Sequence, residues 1–382
     1  MDKNSNPKSV DNRQAIDGRA AGGVLTIDLT ALQHNYKVLS TEARPAMTAA
    51  VVKADAYGIG VRQAAPALYQ AGCRMFFVAQ LIEAFELRPC LPDDAKIAVL
   101  NDIQPGMEAA TAAAGFIPVL NSLPSAMAWL ALCRQQQRKL PAMLQLDSGM
   151  SRLGLDAQEA AALIANPEIF AQADILYILS HLACSDDPAS TMNPTQLATL
   201  KNWLAALADI PVSLASSGGL DLGADYRFDL VRPGIALYGV DPHAHIPARL
   251  RPVVGLAARV IQTRQVEAGA RIGYGGTYTA QQPAHVVTVA VGYADGWHRA
   301  LGNRGWGWFG GQRLPIIGRV SMDSMTLDAT ALGPAAPQRG DLIELIGPHQ
   351  TLQDVARDAG TIAYEILTSL GHRYDRRYMT SG

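Results

Sequence analysis

"AAVVKADAYGIG", Ala49–Gly60, decides how this chain is read. Its first half is small and β-branched, the composition of a buried strand. The strand then releases Lys53, a residue type almost never fully buried. Asp55, Tyr57 and two glycines follow, which suits a tight turn. A core strand that delivers a lysine at its carboxyl end points to an α/β enzyme, provided that more such strands follow.

They do. Apolar runs at 49–54, 74–80, 96–101, 116–121, 142–149, 174–181, 211–217 and 229–234 alternate with stretches of helical period. In 192–208, Leu197, Leu200, Leu204 and Leu207 fall on one helix face. Nearly continuous apolar strands suit a parallel sheet covered on both sides. Eight strand–helix units predict an α/β fold, a (β/α)8 TIM-type barrel over 24–250. An open doubly wound sheet is the alternative, because the last unit is weak, although no GxGxxG follows the first strand. Beyond 250 the chain changes to short strands and Gly-rich turns, so 251–382 is expected as a mostly β domain ending in a short helical tail. Residues 1–23 read as a polar, loosely ordered tail.

Composition narrows the class. The 382 residues are 49% hydrophobic and 17% charged, which fits a globular protein. A net charge of −2 without a basic cluster argues against a nucleic-acid partner. No apolar run reaches membrane-spanning length, and the N-terminus lacks the apolar stretch of a secretory signal. Four widely spaced cysteines read as reduced thiols, neither a disulfide frame nor a metal site, so a cytoplasmic location is expected.

In a barrel, chemistry sits at the carboxyl ends of the strands. Those ends carry Lys53, then Asp147 and Arg152, then His181, then Ser216 and Ser217 with two glycines, then Arg232 and Gly234. A rim lysine or histidine alone is usually a snorkelling or satisfied polar side chain. Together they suggest a site for an anion and an electrophile. Desolvation and nearby arginines would make Lys53 a usable amine, able to form a Schiff base with a carbonyl. Pyridoxal 5'-phosphate is the obvious aldehyde, with Ser/Gly backbone amides for its phosphate.

"AVVKADAYGIG" resembles the cofactor-lysine motif of the bacterial alanine racemases. "LDSGMSRLG" (146–154), "SHLACSDD" (180–187), "VRPGIALYG" (231–239), "IGYGGTYTA" (272–280), "VGYADG" (291–296), "IGRVSMD" (317–323) and "TIAYEI" (361–366) resemble that family's landmarks, in its order. The resemblance implies that Lys53 carries the cofactor and acts as one catalytic base, with Tyr274 as the other. It implies phosphate contacts from Tyr57, Ser217, Gly234, Ile235 and Tyr364. Arg232 would face the pyridine nitrogen with His181 beside it. Arg152 would sit near the ring oxygen and the substrate carboxylate, and Met322 would offer that carboxylate a backbone donor. Tyr293 would lie by the substrate, and Arg299 and Arg319 at the entryway. Racemisation needs a base on each face of a planar carbon, which two such residues supply. The resemblance further implies a head-to-tail homodimer, with Tyr274 coming from the other subunit, and D-alanine supply for peptidoglycan or alanine catabolism.

The chain departs from the family pattern at Ile59, where histidine is common, and at Ser321, where some members have cysteine. At Gln145 some members carry a carbamylated lysine that holds the equivalent of Arg152, which here needs another partner: the glutamine oxygen, a carboxylate or an anion such as chloride. A serine or broad-spectrum racemase shares the core. Barrel-type decarboxylases share the lysine, but place a glutamate on the pyridine nitrogen where this chain has Arg232. A non-catalytic cofactor carrier would resemble the barrel alone.

Overall fold

The structure, a computed structural model, describes residues 17–166, 168–207, 210–243 and 248–380. Most of the expected polar tail, 1–16, lies outside the described residues. A 3-10 turn (Gly18–Ala20) precedes strand β1 (Gly23–Asp28). Backbone contacts divide the molecule into two units. One comprises Ile27–Val254, Ile362–Thr368 and the chain from Tyr378 on. The other comprises the chain up to Thr26, Gly255–Thr361 and Ser369–Arg377.

The first unit follows the apolar runs. Its strands are β2 (Met47–Thr48), β3 (Ala50–Val51), β4 (Met75–Val78), β5 (Lys96–Val99), β6 (Ile117–Leu120), β7 (Pro141–Gln145), β8 (Asp174–Leu179), β9 (Val212–Ser213) and β10 (Leu230–Val231). Strands β3 to β9 form one parallel sheet in sequence order, and β10 pairs in parallel with β2. The ring closes through further backbone bonds. Arg232 N–H donates to Ala215 O at 2.9 Å, and Ala49 and Val51 N–H donate to Val231 O and Pro233 O at 2.9 and 3.0 Å. Since β2 and β3 are one run of chain, this is the eight-stranded barrel, and the weak eighth unit is the two-residue β10.

Strands β4 and β6 bury every residue, which is why their sequences lack alternation. The helix Met192–Leu204 buries Leu197 and Leu200, in a cluster that contains Leu144, Ile178 and Val212. Leu207 is buried too, but lies beyond the helix end.

The second unit is antiparallel. Its strands are β11 (Val254–Val266), β12 (Arg271–Ile272), β13 (Tyr278–Thr279), β14 (Ala284–Val289), β15 (Trp306–Phe309), β16 (Gln312–Ile317), β17 (Met325–Asp328), β18 (Leu342–Ile346) and β19 (Asp375–Met379). One sheet runs β14-β17-β16-β15-β18-β11-β1-β19, and an extra β11–β14 pairing curls it on itself. Burial alternates along the first half of β11, the mark of a sheet with one covered face. The helical tail is two helices, Leu352–Ala359 and Ala363–Ser369. Gly360 ends the first at φ 73°, in the left-handed region that favours glycine. Among the described residues no helix is long and apolar enough to cross a membrane.

Candidate active site

Lys53 begins a turn of unusual hand. Ala54, Asp55 and Ala56 lie at φ 53–54° and ψ 49–53°, and Tyr57 at φ 55°. A left-handed conformation costs an L-residue roughly 1–2 kcal/mol, and a run of them is rare. The glycines expected to make the turn come after it: Gly58 and Gly60 have φ 83° and 102°. The surroundings hold the strained run. Gly58 N–H donates to Ala54 O at 2.8 Å and Gly60 N–H to Asp55 O at 3.0 Å. The Asp55 carboxylate accepts from Val61 N–H at 2.7 Å, and Glu83 from Ala54 N–H at 2.6 Å. The Tyr57 ring stacks on Tyr238, centroids 4.5 Å apart, and Tyr238 OH donates to Val51 O. Ile59 is fully buried, and its carbonyl accepts from Tyr378 OH at 2.8 Å. An apolar side chain therefore suits the position where the family commonly has histidine.

A cavity of about 460 Å³ opens at these strand ends, lined by Lys53, Leu100, Asn101, Gln145, Arg152, His181 and Arg232. It gathers cations. Burial lowers the pKa of the Lys53 ammonium, and Arg152 and Arg232 push the same way against the opposing pull of Glu83. Arg232 is 4% exposed, and its hydrogen-bond partners are neutral. Nε donates to Ser213 Oγ at 2.9 Å, and Nη2 to Ser180 O at 2.5 Å and Leu214 O at 3.3 Å. Burial lowers its pKa to about 10, so it stays charged at neutral pH. His181 is driven down to about 3 by burial, then by Arg232, Arg152 and Lys53, and is therefore neutral. Gln145 Nε2 donates to Leu153 O at 3.1 Å, so the glutamine holds the Arg152 loop by its backbone. Asp147 is a loop-former: one carboxylate oxygen accepts the N–H groups of Gly149, Met150 and Ser151.

Beside this lies a cradle of donors. Ser217 Oγ accepts from Gly234 N–H at 2.9 Å and Ala236 N–H at 3.2 Å, at the start of the short turn Ile235–Tyr238. A Cβ added at Gly234 would lie 2.2 Å from Tyr57 OH. The Tyr364 ring centroid is 6.1 Å from that of Tyr57, because Ile362–Thr368 packs with the barrel unit. Burial raises both phenols, Tyr364 to about 12, so they remain donors at neutral pH. Hydroxyls and backbone amides gathered in this way suit a phosphate. With the Lys53 amine and the uncompensated Arg232 cation nearby, the residues fit pyridoxal phosphate.

The remaining expected residues belong to the second unit. Tyr274 stands at the tip of the β12–β13 hairpin, 71% exposed, between glycines at φ 74° and 73°. A Cβ on Gly275 would lie 3.2 Å from Arg319 Nη1, so Arg319 flanks Tyr274's loop. Tyr293 N–H donates to Ser321 O at 3.0 Å and Ala294 N–H to Met322 O at 2.9 Å, which zips the two loops together. Arg373 clamps them, with Nε and Nη2 on Asp295 at 2.7 and 2.9 Å and Nη1 on Asp323 at 2.6 Å. Tyr293, Arg299, Arg319 and Met322 are exposed, and Arg299 makes the short turn Arg299–Leu301.

Sequence reasoning missed Glu83, Ser213, Tyr238, Tyr378 and Arg373, which hold the chemistry-bearing groups rather than supply chemistry. Of these, Tyr238 lies inside the quoted 231–239 stretch, and Glu83 stands three residues after the N-cap of its helix, the acidic place of a capping box.

Family models described as "Alanine racemase, N-terminal domain" and "Alanine racemase, C-terminal domain" match residues 27–242 and 253–378. The chain is 55% identical to the alanine racemase of Brucella abortus over 94% of each chain. It is 50% identical to the catabolic alanine racemase of Agrobacterium fabrum over 98% of this chain and 96% of that one. Among solved structures, the alanine racemase of Bartonella henselae with covalently bound pyridoxal phosphate superposes with a TM-score of 0.92 at 50% identity, covering 94% of this chain and all of that one. The chain is therefore a member of the alanine racemase family.

Proposed function

We propose that the protein is an alanine racemase that interconverts L- and D-alanine with pyridoxal phosphate held on Lys53. The observation that carries this reading is a lysine amine of lowered pKa sharing one cavity with a buried arginine whose partners are all neutral. Bound there, the cofactor supplies the electron withdrawal that acidifies the Cα–H bond of an attached amino acid. Tyr57, Ser217, Gly234, Ile235 and Tyr364 hold the phosphate end. Neutral His181 packs beside the ring. Arg232, charged at working pH, would donate to the ring nitrogen without surrendering its proton, which would leave the ring a weaker electron sink and disfavour transamination.

Lys53 moves the Cα proton on one face and Tyr274 on the other, each acting as acid in one direction and base in the other. Arg152 and the Met322 backbone hold the substrate carboxylate. Tyr293, Arg299 and Arg319 guard the approach. The domain assignment follows the same reading, with 24–250 carrying the cofactor lysine and 251–382 the second base. We infer a head-to-tail homodimer in which Tyr274 serves Lys53 of the partner subunit. The exposure of Tyr274, Tyr293 and Met322 in the isolated chain supports this. The four cysteines are free thiols, in keeping with a cytoplasmic enzyme that supplies D-alanine to peptidoglycan or works in alanine catabolism.

The test is D-isomer formation from L-alanine beside L-serine and L-lysine. Alanine is expected to react fastest, and a faster serine or lysine reaction overturns the substrate assignment. Lys53→Ala is expected to lose the absorbance band of the bound cofactor and at least about 10⁴-fold in rate. Retention of both overturns the assignment of Lys53.

A further inference from the structure

The strained turn after Lys53 needs an anchor, and one side chain meets it at its first residue. Glu83 lies in the helix Leu81–Leu87, which follows β4. Its Oε2 accepts from Ala79 N–H at 2.7 Å and Gln80 N–H at 2.9 Å, as the acidic member of a capping box does. Its other oxygen serves no helix end. Oε1 accepts from Ala54 N–H at 2.6 Å, across to the neighbouring strand end. Ala54 is the residue after Lys53 and the first at positive φ. Ala79, tied by the same carboxylate, lines the cavity. One carboxylate thus joins the ends of β3 and β4 where the amine emerges.

We propose that Glu83 is a positioning residue for Lys53: its carboxylate pins the entry to the left-handed turn and places a negative charge beside the amine. This rests on Lys53 being the cofactor-bearing base. Charge-assisted bonds to backbone N–H groups are strong enough to hold a strained segment. The groups facing Lys53 are Arg152 and Arg232, which favour the neutral amine, neutral His181, and Glu83, which favours the ammonium. Asp55, two residues on, is occupied by Val61 N–H.

The holoenzymes of wild type, Glu83→Gln and Glu83→Asp are compared, with Lys53→Ala assayed beside them in the presence of pyridoxal phosphate. Glu83→Gln is expected to lower kcat roughly ten- to hundredfold with KM for alanine within about twofold, since the amine is misplaced rather than the substrate released. Loss of the negative charge eases deprotonation of the ammonium, so the acid limb of the kcat profile moves to lower pH. Amide hydrogen exchange at Ala54 speeds up. Glu83→Asp keeps the charge but is too short for all three N–H groups. It is expected to restore the acid limb while leaving Ala54 exchange fast. Wild-type kcat and acid limb in Glu83→Gln, or a fall in melting temperature alone, overturn the proposal. If Glu83→Gln does not fold, Glu83→Asp decides: wild-type kcat with wild-type Ala54 exchange overturns it. Lys53→Ala separates the two readings. An active Lys53→Ala sinks the assignment of Lys53, whereas a dead Lys53→Ala beside a wild-type-like Glu83→Gln sinks only the role of Glu83.

Discussion

The two sets of residues assigned to the reaction are built in opposite ways. In the barrel unit, Arg232, Ser217 and Tyr57 are 3–5% exposed and bonded or stacked on several sides. In the second unit, Tyr274, Met322 and Tyr293 are 43–71% exposed on loops. Arg232, Ser217 and Tyr57, proposed to hold the cofactor, are locked by long-range packing, whereas Tyr364, proposed beside them, is 41% exposed. Groups that must meet a transient substrate, or a second subunit, stand on a scaffold with their tips free. Even there the loops are not loose, because Arg373 clamps Asp295 and Asp323 beneath Tyr293 and Met322.

The contrast can be broken from either side. Tyr274→Phe is expected to lower interconversion about 10²–10⁴-fold, the usual worth of one acid–base group. One alanine isomer should still exchange its Cα–H into D2O through Lys53 alone, which proton NMR reads directly. Co-expressing Tyr274→Phe with Lys53→Ala should recover up to about a quarter of wild-type activity if sites are shared across a twofold dimer, because about half of the dimers are then mixed and each mixed dimer holds one intact site of its two. No recovery breaks the shared-site reading.

On the buried side the expected effects are smaller. Gly234→Ala forces a Cβ against Tyr57 OH and should cost about 1–3 kcal/mol, measured as weaker retention of the cofactor on dilution. His181 tests the electrostatics. In the folded protein it stays neutral down to about pH 3, whereas its ordinary pKa is 6.5. Between those values the unfolded chain binds more protons, so stability should fall as pH drops from 6.5 toward 3. His181→Gln should flatten that part of the denaturation profile. Gln145→Ala removes one hydrogen bond to the Arg152 loop, about 1 kcal/mol, and should raise KM for alanine a few-fold with kcat little changed.

Much of the barrel was legible because its strands are buried on both faces and so write themselves as apolar runs. Position along a barrel strand then fixes which residues reach the rim, which is why Lys53, Arg152, His181 and Arg232 could be named together. The left-handed turn was not legible. Ala-Asp-Ala carries no local preference for positive φ, and the support comes from Glu83, Tyr238 and Tyr378, remote in sequence. Tyr364 lies in the helical tail that follows the β-rich stretch of sequence, yet packs in the barrel unit. Gln145 posed the question of what partners Arg152; its side-chain amide donates to Leu153 O, the backbone of the Arg152 loop, rather than meeting the guanidinium.

The sequence by itself determined the alternation of strand and helix, the change of texture near residue 250, and a lysine, two arginines and a histidine at strand ends. These are local patterns, set by periodicity and by residue type. Only the tertiary structure decided that Arg232 would be ringed by neutral acceptors, that His181 would be neutral, and that four residues would be held left-handed behind Lys53. Those outcomes depend on which distant carbonyls, carboxylates and rings surround a group, and on how little water remains beside it.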